Sequence, residues 1–371
     1  MKRSTLWSVV FTIYCITVSI GLAQAQTTTK TMLPQVPITY PGDTNETITR
    51  RAQWIEGAKK EGKLVWWFVI LQPEMTAVMA EFNKVYPFIK GDLWRGEGEE
   101  IASKLEAGFI AGYTPADLTL GGEVYNYPRW RKMGLLARIN NIIPGVEKLD
   151  KRMFSIHGDT FSPGSTVITP HYNTKLVSAA EAPKSWEDLL APKWKGRIGL
   201  TADMKPWTTL ALGEGGWGIA KTEEFLGKLK GQNLIWAPGF PAAVNLNGAG
   251  EFAVNAASYL RYIATLQPKG VPINWVRVKP VGIASGPNII TANKSPNPNA
   301  TRLFIEWLGS PTGRAIYEKI TAYGPAFPGS GTVLSKLLEG LPFVVQTEDT
   351  VLKEIELGLH DRFRAILGIP K

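Results

Sequence analysis

The stretch KLVWWFVI, residues 63–70, decides the fold class of this chain. It is a short apolar run rich in aromatic and β-branched residues, which is typical of a buried strand. The stretch PEMTAVMAEFNKVYP, residues 73–87, follows it and predicts an amphipathic helix. Its apolar positions recur at helical spacing: Met75, Val78, Met79 and Phe82. A strand followed at once by a helix is the unit from which parallel α/β sheets are built.

The same alternation continues along the 371 residues. FIKGDLWRGEG and ADLTLGG predict strands, and EEIASKLEAGFIAG between them predicts a helix. SWEDLLAPKWKGRIGLT predicts helix, turn and strand in the second half. VLKEIELGLHDRFRAILG, residues 351–368, predicts one C-terminal amphipathic helix. A chain of this length splits into two lobes or domains, so we expect a two-lobed α/β protein with mostly parallel sheets.

The N-terminal segment MKRSTLWSVVFTIYCITVSIGLAQAQ is typical of a cleaved export signal. It has a basic start, an apolar run and a small-x-small site that ends at Ala25, so residues 1–25 are predicted to be removed. Cys15 is the only cysteine and lies in this segment, which leaves the mature chain without thiol or disulfide chemistry. Residues 26–50 are rich in Thr and Pro and predict a flexible leader before the first helix.

Charge and motif content argue against several functions. The net charge is +9, or +7 without Lys2 and Arg3, but no basic cluster typical of a nucleic-acid interface is present. The three histidines, His157, His171 and His360, form no metal-ligand spacing, and the serine motif GxSxG is absent. We therefore expect no enzyme, no cofactor and no nucleic-acid partner. An exported hydrolase stays as the alternative from another class, and it would need a carboxylate pair in a cleft.

Three longer stretches carry a resemblance to a known family. They are HYNTKLVSAAEAPKSWEDLLAPKWKGRIGL (171–200), GEFAVNAASY (250–259) and GPNIITANKSPNPNATRLFIEWLGSPTGRAIY (286–317). Their order and spacing resemble those of the solute-binding proteins of bacterial ABC importers, in the subgroup similar to ferric-ion and thiamine binders. The resemblance implies a type II periplasmic binding fold, a monomer in the periplasm and a permease partner in the inner membrane. A sensory protein that docks on a receptor is the alternative within this class.

The resemblance also implies the domain organisation. Residues 51–168 and 280–371 would form the first lobe together with the C-terminal helices, and residues 169–279 the second lobe. Two crossings near Val167–Asn173 and Trp275–Ile283 would join the lobes. Ligand would bind between them, where strand ends and helix starts converge, and would favour the closed state by binding it better.

The loops at this cleft supply the predicted ligand-binding residues. Lys205 and hydroxyls at a helix start suit a carboxylate or phosphate, and aromatic rings stack on flat or apolar ligand bodies. Of the neighbouring Trp66 and Trp67, only one can face the cleft. The predicted set is Trp67, Gln72, Glu97, Gly98, Glu123, Tyr125, Lys205, Trp207, Thr208, Thr209, Tyr259 and Tyr262.

Tyr259 and Tyr262 bear on the choice between two ligands. A spacing of three places them on one face if the segment is helical. Ferric iron prefers phenolate and carboxylate oxygens, and Tyr259, Glu123 and Tyr262 would then be its ligands. The paired tyrosines of ferric binders read Ser258-Tyr259 here, so one of the two phenols is missing. A small organic anion is therefore the favoured ligand, ferric iron is the alternative, and no metal site is favoured.

Overall fold

The computed structural model describes residues 36–121, 124–286 and 288–369. Helices and strands alternate along the chain, as the sequence predicts. The first part contains α1 (Asn45–Glu61), β1 (Lys63–Phe68), α2 (Gln72–Val85), β2 (Lys90–Arg95), α3 (Gly98–Ile110), β3 (Leu118–Leu120) and α4 (Tyr127–Lys132). The middle part contains β4 (Ser165–Asn173), β5 (Ile198–Thr201), α5 (Lys205–Leu212), α6 (Ile219–Lys230), β6 (Ile235–Ala237), α7 (Phe240–Ala249), β7 (Val254–Tyr259), α8 (Arg261–Leu266), β8 (Ile273–Trp275) and β9 (Val281–Ser285). The last part contains β10 (Ile289–Thr291), α9 (Pro298–Gly309), α10 (Pro311–Thr321), α11 (Val333–Leu337), β11 (Phe343–Val345), α12 (Glu348–Glu356) and α13 (Leu359–Leu367).

A four-stranded sheet has the order β10-β3-β1-β2. β1 is parallel to both β2 and β3, and β10 is antiparallel to β3. Trp66 of β1 is fully buried, with its ring 4.7 Å from that of Phe304 of α9. The central strand is thus covered by helices, which explains why its sequence is an almost continuous apolar run.

A seven-stranded sheet has the order β11-β9-β4-β7-β5-β6, with β8 also paired to β4. The pairs β5–β6, β5–β7 and β9–β11 are parallel, whereas β4 is antiparallel to β7, β8 and β9. The two-sheet α/β architecture is confirmed, and the antiparallel pairs of the seven-stranded sheet are all made by one long strand, β4. No helix among the described residues has the length and apolar character needed to span a membrane.

β4 and β9 connect the two sheets. Before β4, Phe161 bridges to Ile289 of the four-stranded sheet, and Ser165 then pairs with Ser285 at the start of the seven-stranded sheet. β4 therefore covers the first predicted crossing, Val167–Asn173, and β9 begins inside the second, Trp275–Ile283. The lobe limits at 168/169 and 279/280 stay a prediction.

The predicted end of the leader is wrong. The leader was expected to reach residue 50, but α1 begins at Asn45 with a capping box on Thr44, and Tyr40 before it is buried. The buried Arg51 pairs with Asp43, which fixes this segment to α1. The part of the predicted leader before Val36, like the predicted signal at residues 1–25, lies outside the described residues.

The C-terminal segment differs from its prediction in two ways. It forms two helices, because Gly358 takes a left-handed conformation with φ of 59° between α12 and α13. These helices were expected with the first lobe, but α13 contacts α5 and α6, which flank the seven-stranded sheet. The reason is that Leu359, Phe363 and Leu367 are buried in the core on that sheet.

Candidate functional site

The carboxyl end of β7 forms the centre of the candidate site. Tyr259 is the last residue of β7 and Tyr262 lies in α8, so the two are not on one helix and that premise is wrong. Their rings nevertheless stack, with centroids 6.3 Å apart and planes 10° from parallel. The ring of Phe240, which begins α7 after β6, lies 4.2 Å from that of Tyr259. These aromatic rings meet because parallel strands β5, β6 and β7 end at the same edge.

Both phenols are held in the neutral form. Burial raises the pKa of Tyr259 well above its usual range, and the nearby Asp203, Tyr323 and Tyr262 raise it further. Burial together with Tyr323 raises the pKa of Tyr262 to about 12. At neutral pH the two hydroxyls therefore act as hydrogen-bond donors and acceptors without a negative charge.

Arg261 brings a positive charge into this aromatic cluster. Its guanidinium carbon lies 4.2 Å from the ring centroid of Tyr323 and 5.9 Å from that of Tyr262. Its Nη2 donates to Glu74 Oε1 at 3.0 Å, and both side chains are mostly buried. Glu74 lies in the first turn of α2, after β1 of the other sheet, so this ion pair joins elements of both sheets. Burial raises the pKa of Glu74 although Arg261 lowers it.

The ion pair leaves hydrogen-bonding capacity unused. Arg261 Nε and Glu74 Oε2 are buried and have no hydrogen-bond partner among the described residues. A buried donor without a partner is costly, and a ligand oxygen would relieve that cost. Sequence reasoning missed Arg261, Glu74 and Tyr323. Arg261 could have been found from its place just after the end of β7. Glu74 and Tyr323 come from distant parts of the chain, and no such signal marks them.

A pocket of about 630 Å³ opens beside these residues. Its walls come from the start of β4, the β7–α8 junction, β8, α10 and the segment through α11. α10 packs against α2 and α9, so the pocket lies between elements of the two sheets. Tyr259, Leu260, Arg261, Ile263, Trp275, Glu318, Lys319, Tyr323, Leu334 and Leu337 are among its lining residues.

The described members of the predicted set that lie in or after the strands of the four-stranded sheet do not line this pocket. Trp67 packs against Trp94, with ring centroids 4.9 Å apart. Gln72 is exposed at the start of α2, and Tyr125 is 42% exposed in the turn after β3. Glu97 and Gly98 lie at the start of α3, where Glu97 pairs with Arg95 in solvent. Glu123 lies outside the described residues.

The predicted residues of α5 are largely structural. Trp207 was expected to line the pocket, but it is fully buried against Trp186 and Phe225 in the core. Thr208 and Thr209 are also buried, and both hydroxyls donate to the carbonyl of Lys205. Their hydroxyl hydrogens are thus used within the first turn of their own helix. The backbone N–H of Lys205 is capped by Asp203.

The cluster is poor in metal ligands. Within residues 36–121, 124–286 and 288–369, no group of three His, Cys, Asp or Glu side chains is placed to hold a metal ion. Of the iron ligands considered from the sequence, Tyr259 and Tyr262 come together, Asp203 lies near Tyr259, and Glu74 is paired with Arg261. The geometry suits recognition of an oxygen-bearing ligand by phenols and a guanidinium.

Comparison with known proteins gives a family match over most of the chain. The profile of a family described as "Bacterial extracellular solute-binding protein" matches residues 77–336. No curated protein is detectably similar to the chain in sequence.

Solved structures share its fold. Iron-bound HitA from Pseudomonas aeruginosa is 18% identical, with a TM-score of 0.64 over 81% of this chain and 99% of that one. The periplasmic binding protein AfuA from Actinobacillus pleuropneumoniae, with fructose-6-phosphate bound, is 18% identical, with a TM-score of 0.64 over 83% and 99%. The substrate-binding protein of an ABC transporter from Agrobacterium tumefaciens is 14% identical, with a TM-score of 0.65 over 84% and 96%. At these identities the likeness is one of fold.

Proposed function

The chain belongs to the bacterial extracellular solute-binding proteins, as its sequence predicts, and we propose that it captures a small organic anion. It would bind this anion between its two sheets, close around it and deliver it to the permease of an ABC importer. In this proposal the protein is exported by cleavage after Ala25 and works as a periplasmic monomer without catalysis. Ligand favours closure because it gains contacts from both sides of the pocket.

Arg261 is the observation that carries this proposal. It is a mostly buried cation that lines a pocket of a size suited to small molecules. A guanidinium binds carboxylates and phosphates through charge-assisted hydrogen bonds. The neutral phenol of Tyr259, which lines the same pocket, can donate a further hydrogen bond to the same ligand oxygens.

Ferric iron remains the alternative ligand, because Tyr259 and Tyr262 stack at the β7 end. The same geometry argues against it. A trivalent cation would lie beside the positive charge of Arg261, and burial opposes the phenolate form of both tyrosines.

Native mass spectrometry on protein purified from the periplasm without refolding tests the proposal. Comparison of gentle and denaturing conditions should reveal a retained organic mass that is lost on denaturation. A retained mass of iron, with or without a small anion, would instead make the tyrosines metal ligands. Substrate turnover during the same incubation would support the hydrolase alternative.

Two variants of the central ion pair should have opposite effects. Arg261→Gln should weaken anion binding about 10- to 100-fold, since it removes charge-assisted hydrogen bonds. Glu74→Gln should strengthen it about threefold or more, because it removes a negative charge that competes for Arg261. Calorimetric titration with the identified anion measures both affinities, and Arg362→Gln, in an exposed ion pair with Glu223, is the matched control.

An iron site predicts a different pattern. Loss of Glu74 would then weaken binding, and Tyr259→Phe would nearly abolish it, whereas Tyr259→Phe should cost an organic anion only about 1 kcal/mol. Equal losses of anion affinity in the Glu74→Gln and Arg261→Gln variants would mean that the ion pair only stabilises the fold.

A further inference from the structure

We propose that the ligand is a monocarboxylate with an apolar body, its carboxylate at Arg261 and its body toward Trp275, Leu334 and Leu337. This inference rests on the proposed function and narrows its ligand class. The pocket of about 630 Å³ exceeds what a metal ion or an inorganic anion would fill. The pocket therefore has room for a ligand body in addition to the charged group.

The lining of the pocket combines two kinds of side chain. Tyr259, Arg261 and Tyr323 supply hydroxyls and a guanidinium. Most of the other large side chains are apolar or aromatic, namely Ile263, Trp275, Val333, Leu334 and Leu337, and the polar Gln267 and Asn274 also line it. Val333 is 73% exposed and Leu337 is 37% exposed, although both are large apolar side chains. An apolar ligand body would remove these surfaces from water.

The strand register gives the direction in which the pocket runs. Tyr259 pairs with Ile168 on one side of β4, and Trp275 pairs with His171 on the other side. Their β4 partners are three residues apart, which corresponds to about 10 Å along the strand. A ligand body that lies along β4 from Tyr259 toward Trp275 follows this direction.

The charges around the pocket favour a single anionic group. Arg261 is the only partly buried cation that lines it among the described residues, and Lys319 is exposed at its margin. The carboxylate of Glu318 accepts the backbone N–H groups of Val333 and Leu334 at 2.8 and 2.7 Å, so it is occupied in holding the start of α11. A second carboxylate on the ligand would be stabilised only where it reached Lys319, because contact with the apolar walls or with this carboxylate costs free energy.

A homologous series of probes tests the length and polarity of the ligand. Purified full-length mature protein would be titrated by calorimetry with acetate, butanoate, hexanoate and 3-phenylpropanoate, and with phosphate and citrate as polar anions. We expect affinity to rise about fourfold for each methylene group buried, until the pocket is filled. Phosphate and citrate should bind more weakly than 3-phenylpropanoate.

Two leucine variants separate specific binding from general hydrophobic adsorption. Leu337→Ser should weaken 3-phenylpropanoate at least about fivefold and leave acetate unchanged, because only the longer ligand reaches this side chain. Leu176→Ser is the matched control, since Leu176 is a similarly exposed leucine outside the pocket.

The outcomes distinguish the inference from the proposed function. Tight binding of phosphate or citrate through Arg261, with an affinity of the carboxylates that does not depend on their chain length, would contradict the inference that the ligand has an apolar body. The organic-anion proposal would still stand. Equal weakening of 3-phenylpropanoate by both leucine variants would also overturn the apolar body. Failure of every anion in the series, with iron bound by the same protein, would overturn both.

Discussion

At the residue scale, neighbouring side chains on β1 point to opposite faces of the four-stranded sheet. Trp66 is buried against Phe304, whereas Trp67 packs on Trp94. The sequence predicted that only one of the two tryptophans can face the cleft. It did not predict that Trp94 of β2 would pack on Trp67.

His171 is a histidine held away from water in the interior of the seven-stranded sheet. It is fully buried in β4, and neither ring nitrogen has a hydrogen-bond partner among the described residues. Burial alone lowers the pKa of His171 to about 3. The folded protein thus keeps this imidazole neutral at a pH where the unfolded chain is protonated.

We expect acid destabilisation from this residue. Its unfolded pKa is near 6.5 and its folded pKa is lower, so the unfolded state alone takes up a proton below pH 6.5. The free energy of unfolding should fall by about 1.4 kcal/mol per pH unit from about pH 6 downward. Urea unfolding of wild type and His171→Leu between about pH 7 and pH 5 measures the difference in slope.

The exposed His157 supplies the control, because His157→Gln leaves His171 in place. Identical pH slopes for wild type and His171→Leu would mean that the buried imidazole does not titrate between the two states.

At the element scale, α1 shows how a polar network extends a helix beyond its apolar pattern. Thr44 and Thr47 form a capping box, and Asp43 accepts hydrogen bonds from Arg51. Arg51 also donates to Glu306 of α9 at 2.7 Å, and the side chains of both residues are fully buried. Apolar periodicity predicts only the later part of α1, because the first turns are fixed by these polar contacts.

Arg51→Met should destabilise the protein by about 3–5 kcal/mol, because it leaves Asp43 and Glu306 as buried carboxylates without their cation. Arg50→Met is the matched control, since the guanidinium of Arg50 lies 4.7 Å from the Trp54 ring and has no carboxylate partner in the described ion pairs. Thermal or urea unfolding measures both effects. A similar small loss of unfolding free energy in both variants would show that the polar network around Arg51 contributes little to stability.

At the scale of the whole molecule, the connection between the two sheets passes through closely packed glycines. Gly164 precedes β4 and Gly286 follows β9. A Cβ atom on Gly286 would lie 2.4 Å from the carbonyl oxygen of Gly164, which is too close for any side chain. The two crossing segments can approach each other this closely because Gly286 has no side chain at that point.

Gly286→Ala should therefore force the crossing segments apart. We expect a loss of about 1–3 kcal/mol in unfolding free energy and weaker retention of ligand, because the walls of the pocket come from both sides of the crossing. Gly227→Ala is the control: Gly227 is exposed in α6 with open space around its Cβ position. That change should stabilise the protein by about 0.5–1 kcal/mol. Unfolding curves and native mass spectra of both variants provide the measurements.

The sequence by itself determined the alternation of strands and helices and the family. These features depend on apolar periodicity and on motifs within short stretches, which act locally along the chain. The tertiary structure decided which polar groups meet. The Glu74–Arg261 pair joins residues 187 positions apart, and Trp207 and the α5 hydroxyls are buried by distant elements. Such contacts depend on how the two sheets pack, and no local pattern specifies them.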